Sequence, residues 1–287
     1  MTRELPSPAD LHTHSAVSDG TQSPRALVAA AAAAGIGTLA LTDHDSTAGW
    51  EEASDAALDV GIALIPGMEL STRHGHRSVH LLAYLVDPEN RALVDETARI
   101  RESRLTRAES IVENLGADFA ITWDDVRAQA RPGSTLGRPH IADALVAKGI
   151  VADRTEAFTD MLHPARGYVF PHYAPDPVTA VALVRAAGGV PVLAHPATIG
   201  RSGMLSESAI RELVDAGLFG LEIDHRENTP EGKTLLHAYA QRYGLVATGS
   251  SDFHGAGKPN LLGENTTPSP VVQSIVAAAD GWSPVIP

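Results

Sequence analysis

Short apolar runs alternate along the first third of the chain with stretches of helical periodicity, which predicts the strand–helix alternation of a parallel α/β arrangement. Ala9 to His14 reads as the first strand. Ser23-Pro24 provides a helix N-cap followed by a first-turn proline, and the alanine-rich stretch after it stops at Gly35. Thr38 to Thr42 is predicted as a strand, Thr47 to Val60 as a helix, and Ala63 to Pro66 and Val79 to Val86 as further strands. From Pro88 to about Arg166 the pattern is helical, with Glu89 to Asn114 long and charged and Gly137-Arg138-Pro139-His140 opening another helix. The alternation then returns. Helices are expected over Pro177–Ala187, Ser206–Ala216 and Pro230–Tyr243, strands over Val190–Ala194, Leu221–Ile223 and Val246–Thr248, and a last short helix near Val271 to Ala279. The expected organisation is a barrel made of residues 1–87 and 167–287, interrupted by an inserted helical subdomain, residues 88–166, that selects the substrate.

The polar residues that stop the apolar runs change the picture from architecture to chemistry. His12 and His14 are two apart, so a strand would aim both at one point. Collecting the residues at strand ends gives His12, His14, Asp19, His44, Glu69, His80, His195, Asp252 and His254, six of the 13 histidines with three carboxylates. Imidazole and carboxylate together suit Mn, Fe or Zn, and α/β barrels carry their sites at the C-terminal ends of strands. This set suffices for two or three divalent ions with three or four protein ligands each.

Composition narrows the class. A chain of 287 residues with 44% hydrophobic content fits one barrel with a substantial core. There are no cysteines, so disulfides and thiolate ligands are excluded. A net charge of −13 argues against bulk capture of nucleic acid or an anionic membrane, though bound cations would reverse the sign locally. The apolar run from Ala26 to Leu41 falls short of a membrane span, and Met1 to Asp10 lacks a signal-peptide layout; a cytoplasmic protein is expected.

His12-Thr13-His14, Thr42-Asp43-His44-Asp45, His195-Pro196 and Ser251-Asp252-Phe253-His254 together resemble the four motifs of the PHP (polymerase and histidinol phosphatase) family, in its TrpH-like branch of metal-dependent phosphoesterases. The resemblance extends over almost the whole chain, including Gly137-Arg138-Pro139-His140. It implies a distorted (β/α)7 barrel, the PHP fold, with a trinuclear site. By this resemblance one ion is held by His12, His14, Glu69 and Asp252, a second by Asp19, His44 and His254, and a third by Glu69, His80 and His195, with Glu69 bridging. Some members carry histidine where this chain has Asp19.

Such a site places cations about 3.5–4 Å apart, close enough to share a hydroxide, here held at Glu69 and Asp252, that attacks phosphorus in line. Phosphate also needs clamps beyond the metals, for which Arg138, His140, Arg201 and His225 are the candidates. Arg99 to Arg107 alternates with glutamates and reads as a solvated helix face, and His74, His76, His163, His172 and His237 read as ordinary polar residues. The expected reaction is phosphomonoester hydrolysis on a small nucleotide, a nucleoside monophosphate such as AMP or a 3′,5′-bisphosphate. The alternative is 5′→3′ exonuclease action on short RNA or DNA; the acidic composition and 5% aromatic content favour the small substrate, with no stable nucleic-acid complex. An amidohydrolase-type barrel is disfavoured because Lys148, Lys233 and Lys258 all lie away from predicted strand ends, and a metal-free binding module because no motif ligand is lost.

Overall fold

A computed structural model describes residues 5–131, 133–198 and 204–287. Seven strands form one sheet in sequential order: β1 (Ala9–Asp10), β2 (Thr38–Leu41), β3 (Ala63–His74), β4 (Arg77–Tyr84), β5 (Val190–Ala194), β6 (Gly220–Asp224) and β7 (Val246–Gly249). A single parallel bridge between Thr13 and Phe253 brings the two edges together, so the sheet is a nearly closed, distorted barrel. One strand departs from the parallel expectation. β3 runs on to His74, turns at Gly75-His76, and returns as β4, which is antiparallel to both β3 and β5. Gly75 has φ +59°, a left-handed conformation that suits a tight hairpin turn. The first strand is also shorter than Ala9–His14, ending at Asp10, whose carboxylate accepts the Ser251 and Gly263 amides.

Side-chain alternation sorts the core into layers. Ala40, Ala63, Ile65, Leu82, Tyr84, Val192 and Ala194 point into the barrel. Leu39, Leu41, Leu64, Leu81, Ala83 and Leu193 pack outwards against the helical layer. That layer comprises α1 (Pro24–Ala33), α2 (Trp50–Val60) and, after the helical segment, α7 (Pro177–Ala186), α8 (Glu207–Asp215) and α9 (Pro230–Tyr243); α10 (Ser269–Ala278) lends Val272 and Ile275 to the barrel interior. The caps follow the local sequence: Ser23, Asp176, Ser206 and Thr229 each accept a first-turn amide, and each is followed by a well-formed helix.

Between β4 and α7 lie α3 (Arg91–Gly116), α4 (Trp123–Arg127), α5 (Arg138–Ala147) and α6 (Arg154–Thr159), all helical. They share a separate apolar cluster in which Ile111, Leu115, Ile141 and Leu145 are fully buried. Polar bonds dock this segment onto the barrel's loops: Ser134 Oγ donates to the Ala16 carbonyl at 2.7 Å, the Thr135 amide to Val17 at 2.9 Å, and Arg101 Nη1 to the Asp45 carbonyl at 2.5 Å.

Candidate active site

The inward face of β3 carries the site outward from the core. Ala63 and Ile65 fill the barrel, and the same face then presents Glu69, Ser71 and Arg73. Glu69 is buried, with its two oxygens turned to different partners. Oε1 lies 2.7 Å from His80 Nδ1 and 3.0 Å from His195 Nε2. Oε2 lies 3.2 Å from His14 Nε2, 3.2 Å from His44 Nδ1 and 3.4 Å from His12 Nε2. Asp252 Oδ1 completes this group at 3.4 Å from His12 Nε2 and 3.3 Å from His14 Nε2. Asp19 stands beside it, with Oδ1 3.2 Å from His254 Nε2 and Oδ2 3.7 Å from His44 Nε2. All nine residues expected as metal ligands therefore lie in one connected group at the strand ends. Within it His12, His14, Glu69 and Asp252 are mutually close enough to hold one cation, as are His14, Asp19, His44 and His254, and also His44, Glu69 and His80.

Loops carrying these ligands are fixed by buried acids. Asp43 accepts the Ser15 amide at 2.8 Å and the Ser15 and Ser18 hydroxyls at 2.6 Å each, which holds the turn leading to Asp19. Asp45 accepts the Ser71 amide at 2.7 Å and its hydroxyl at 2.8 Å. Asp45, His195 and Asp252 have φ of 52°, 29° and 53°, left-handed values uncommon for non-glycine residues, and the two Ser71 bonds hold Asp45 there.

Electrostatics in the group are mutual. Burial opposes ionisation of Glu69, yet His80, His44 and His12 hold its carboxyl well below the ordinary range. Asp19 is likewise held down against burial by His254 and His44, and Asp252 by Lys258, His254 and His12. Burial would depress His14, but Asp252 and Glu69 lift it to about 9. His44 goes the other way, pushed down by burial.

The candidate phosphate clamps separate. Arg138 lines a cleft of about 740 Å³ that opens over the ligand group. His140 lies outside that lining: buried at the start of α5, its Nδ1 accepts the Gly137 amide at 3.2 Å and fixes the turn that presents Arg138. His225 is buried beside the ligands, with its ring 5.1 Å from that of His195 and Nε2 3.7 Å from Asp252 Oδ2, so it belongs to the floor. Arg201 lies outside the described residues.

Several site residues escape the sequence pattern. Glu222 lies within a strand, where a buried carboxylate signals a partner; it accepts His12 Nδ1–H at 3.0 Å and the His195 amide at 2.7 Å. Lys258, set aside as remote from strand ends, lies half-buried against Asp252 with Nζ 2.6 Å from Oδ2. The solvated reading of the Arg99–Arg107 face is corrected at two positions: Arg104 is buried, with Nη1 3.2 Å from Asp45 Oδ2 and 2.9 Å from Ser71 Oγ, and Arg107 lines the cleft. A helical charge pattern cannot reveal which side a barrel will cover. Phe158 and Phe170 also line the cleft, although the chain is poor in aromatics.

Residues 10–110 match the profile of the PHP domain. The chain is 36% identical over 251 residues to a 3′,5′-nucleoside bisphosphate phosphatase of Chromobacterium violaceum, covering 87% of this chain and 88% of that one. It is 35% identical over 249 residues to a 5′-3′ exoribonuclease of Haemophilus influenzae, covering 85% and 89%. A solved structure from Bifidobacterium adolescentis, assigned to the metal-dependent phosphoesterases, superposes with a TM-score of 0.93 at 43% identity, covering 96% of this chain and 98% of that one. With the His/Asp/Glu group standing at the strand ends of this barrel, the chain belongs to the PHP family of metal-dependent phosphoesterases, hydrolases of phosphoester bonds.

Proposed function

We propose that the chain is a phosphomonoesterase of small nucleotides that works with two or three divalent ions, Mn, Fe or Zn. The observation that carries this reading is the split of Glu69, whose two oxygens face two sets of imidazoles on the floor of a cationic cleft. The donor set fits such ions. His12 Nε2 and His14 Nε2 lie only 3.0 Å apart, and His44 Nδ1, His225 Nε2 and His254 Nε2 are buried without a hydrogen-bond partner. Nitrogen lone pairs crowded against ionised carboxylates call for a cation between them. The assignment proposed is the one the family resemblance implies, His12, His14, Glu69 and Asp252 for one ion, Asp19, His44 and His254 for a second, and Glu69, His80 and His195 for a third. Within reach of one cation the fold brings His44, Glu69 and His80, and it groups His195 with His12 and Glu222.

Ions of this kind polarise a phosphoryl oxygen and acidify water enough to make it a nucleophile near neutral pH. The chain's own residues then set geometry and charge. Glu222 orients His12 through Nδ1 and so leaves Nε2 for the site. Lys258 sits between Asp252 and the cleft, where its ammonium offsets charge on the phosphoryl oxygens as the ester bond breaks. Arg104, anchored by Asp45, does the same from the opposite wall. The alcohol departs as the nucleoside into the cleft, whose apolar lining includes Phe158, Val169 and Phe170. The helical segment supplies Arg104, Arg138 and Phe158 to that wall and is read as the part that selects the substrate.

A relative that acts on nucleoside bisphosphates and others that act on RNA ends support a nucleotide substrate for this chain as well. A second reading, exonuclease action on short oligonucleotides, draws support from the open mouth of the cleft. Steady-state turnover of AMP, adenosine 3′,5′-bisphosphate and a short 5′-phosphorylated oligonucleotide, with metal content measured on the same sample, ranks these readings. Hydrolysis of the oligonucleotide alone would overturn the proposed order, and fewer than one ion per chain in active protein would sink the metal assignment. No helix among the described residues is long and apolar enough to cross a membrane.

A further inference from the structure

Two of the ligands assigned to the second ion stand on turns. Asp19 follows the turn at Ser15, and His254 follows β7; both lie outside the seven strands. The two turns clasp each other although Thr21 and His254 are 233 residues apart. The Thr21 amide donates to the His254 carbonyl at 3.1 Å, and the Ala256 amide to Thr21 Oγ1 at 2.9 Å.

Arg154, the first residue of α6, lies across this clasp. A Cβ on Gly257 would come within 2.1 Å of Arg154 Nη1, so the guanidinium rests directly on the glycine backbone. Nη1 also stands 3.5 Å from the Asp19 carbonyl oxygen. The other two nitrogens are taken by Asp143 of α5: Nε donates to Oδ1 and Nη2 to Oδ2, each at 2.5 Å. One side chain therefore touches both ligand turns while a carboxylate of the helical segment meets its charge.

That pairing matters because of what lies beside it. A bare guanidinium next to a cation site would repel the ion, and a half-buried position screens the repulsion poorly. The fork with Asp143 offsets the charge and fixes the plane of the guanidinium. Ser134 and Thr135 tie the same helical segment to Ala16 and Val17, on the approach to Asp19. Arg154 extends this support to the turn that carries His254.

We propose that the Asp143–Arg154 pair is a positioning device for the ion of Asp19, His44 and His254, holding two of its ligand turns in register without adding net charge. The helical segment thereby controls how firmly that ion is held, besides lining the cleft. This rests on the metal assignment above.

The test titrates Mn²⁺ by calorimetry into metal-free wild type, Asp143→Asn, Arg154→Lys and Gly257→Ala, with Asp19→Asn marking the class of site that belongs to this ion. The first substitution exposes the guanidinium charge, the second keeps a charge without the fork, and the third crowds Nη1 without altering any charge. Each is expected to weaken the Asp19-dependent class about 10-fold or more and to leave the other sites within about 2-fold of wild type. Added to Asp19→Asn, Asp143→Asn should change Mn²⁺ binding no further. Equal weakening of every class marks a structural role and overturns the proposal. Unchanged Mn²⁺ affinity also overturns it; if KM for a phosphomonoester then rises, Arg154 is a substrate contact instead. A wild type without an Asp19-dependent class overturns both the positioning role and the assignment of this ion. Wild type that binds Mn²⁺ as described yet hydrolyses no phosphoester sinks the phosphoesterase reading and leaves the positioning role standing.

Discussion

The floor and the β3–α3 wall of the cleft are charged in opposite senses, and each is incomplete in its own way. On the floor, Glu69, Asp19 and Asp252 are buried among imidazoles and remain ionised. On the wall, Arg73 and Arg107 meet no acid among the described residues. The acidic floor calls for cations and the basic wall for an anion. A substrate phosphate moving from wall to floor would exchange one set of counter-charges for the other without a stop in bare solvent. The contrast also shows why net charge misleads here: a chain at −13 carries its positive charge where the substrate enters.

The largest effect is expected from the floor. Glu69→Gln removes a charge facing five imidazoles, and loss of phosphate release by about 10³-fold or more, with fewer bound ions by elemental analysis, is the expected outcome. Retained activity would break the contrast at once. Glu222→Gln acts one step back, and metal affinity measured by competition with a chelator should weaken about 10- to 100-fold. On the wall, Arg104→Lys keeps the charge but loses the fork to Asp45 and Ser71, so KM should rise about 10-fold with a smaller change in kcat.

Smaller still is the pH response of metal-free protein. His14 is raised to about 9 in the fold from an ordinary 6.5, so its contribution is complete below pH 6.5 and lost as pH rises through 9. Glu222 is lowered to about 2, so its contribution is complete above its ordinary 4.5 and lost as pH falls through 2. Chemical denaturation should show greatest stability between these limits, falling by on the order of 3 kcal/mol on the alkaline side. Added metal should shift that profile, because protons and cations compete for the same nitrogens. The smallest expected effect lies away from both surfaces: Tyr84→Phe removes the donor to the Leu11 carbonyl, at 2.9 Å inside the barrel, and should cost about 1–3 kcal/mol of stability with kcat nearly unchanged.

The clustering of candidate ligands at the strand ends was legible because their chemistry is local: His12-Thr13-His14 and Asp252-Phe253-His254 announce imidazoles beside apolar runs. The first helix was legible from Ser23 at its cap and Pro24 in its first turn. Three things were not. The reversal of β4 follows from a two-residue turn whose register depends on the neighbours β3 and β5, which periodicity does not encode. Arg104 and Arg107 carry the same local pattern as a solvated face, and only the docking of α3 over Asp45 and Ser71 decides otherwise. Lys258 reaches Asp252 from a loop, beyond what strand-end bookkeeping could find.

The meeting of Thr13 with Phe253 has a consequence for how the protein is made. Asp10 and Ser251, hydrogen-bonded at 3.0 Å, are 241 residues apart, and His14 donates its amide to Phe253 in the same seam. A chain still emerging from the ribosome would therefore expose His12 and His14 long before Asp252 and His254 arrive. Until the last strand docks, no complete ligand floor exists to hold ions, and premature termination before residue 252 yields a protein without one.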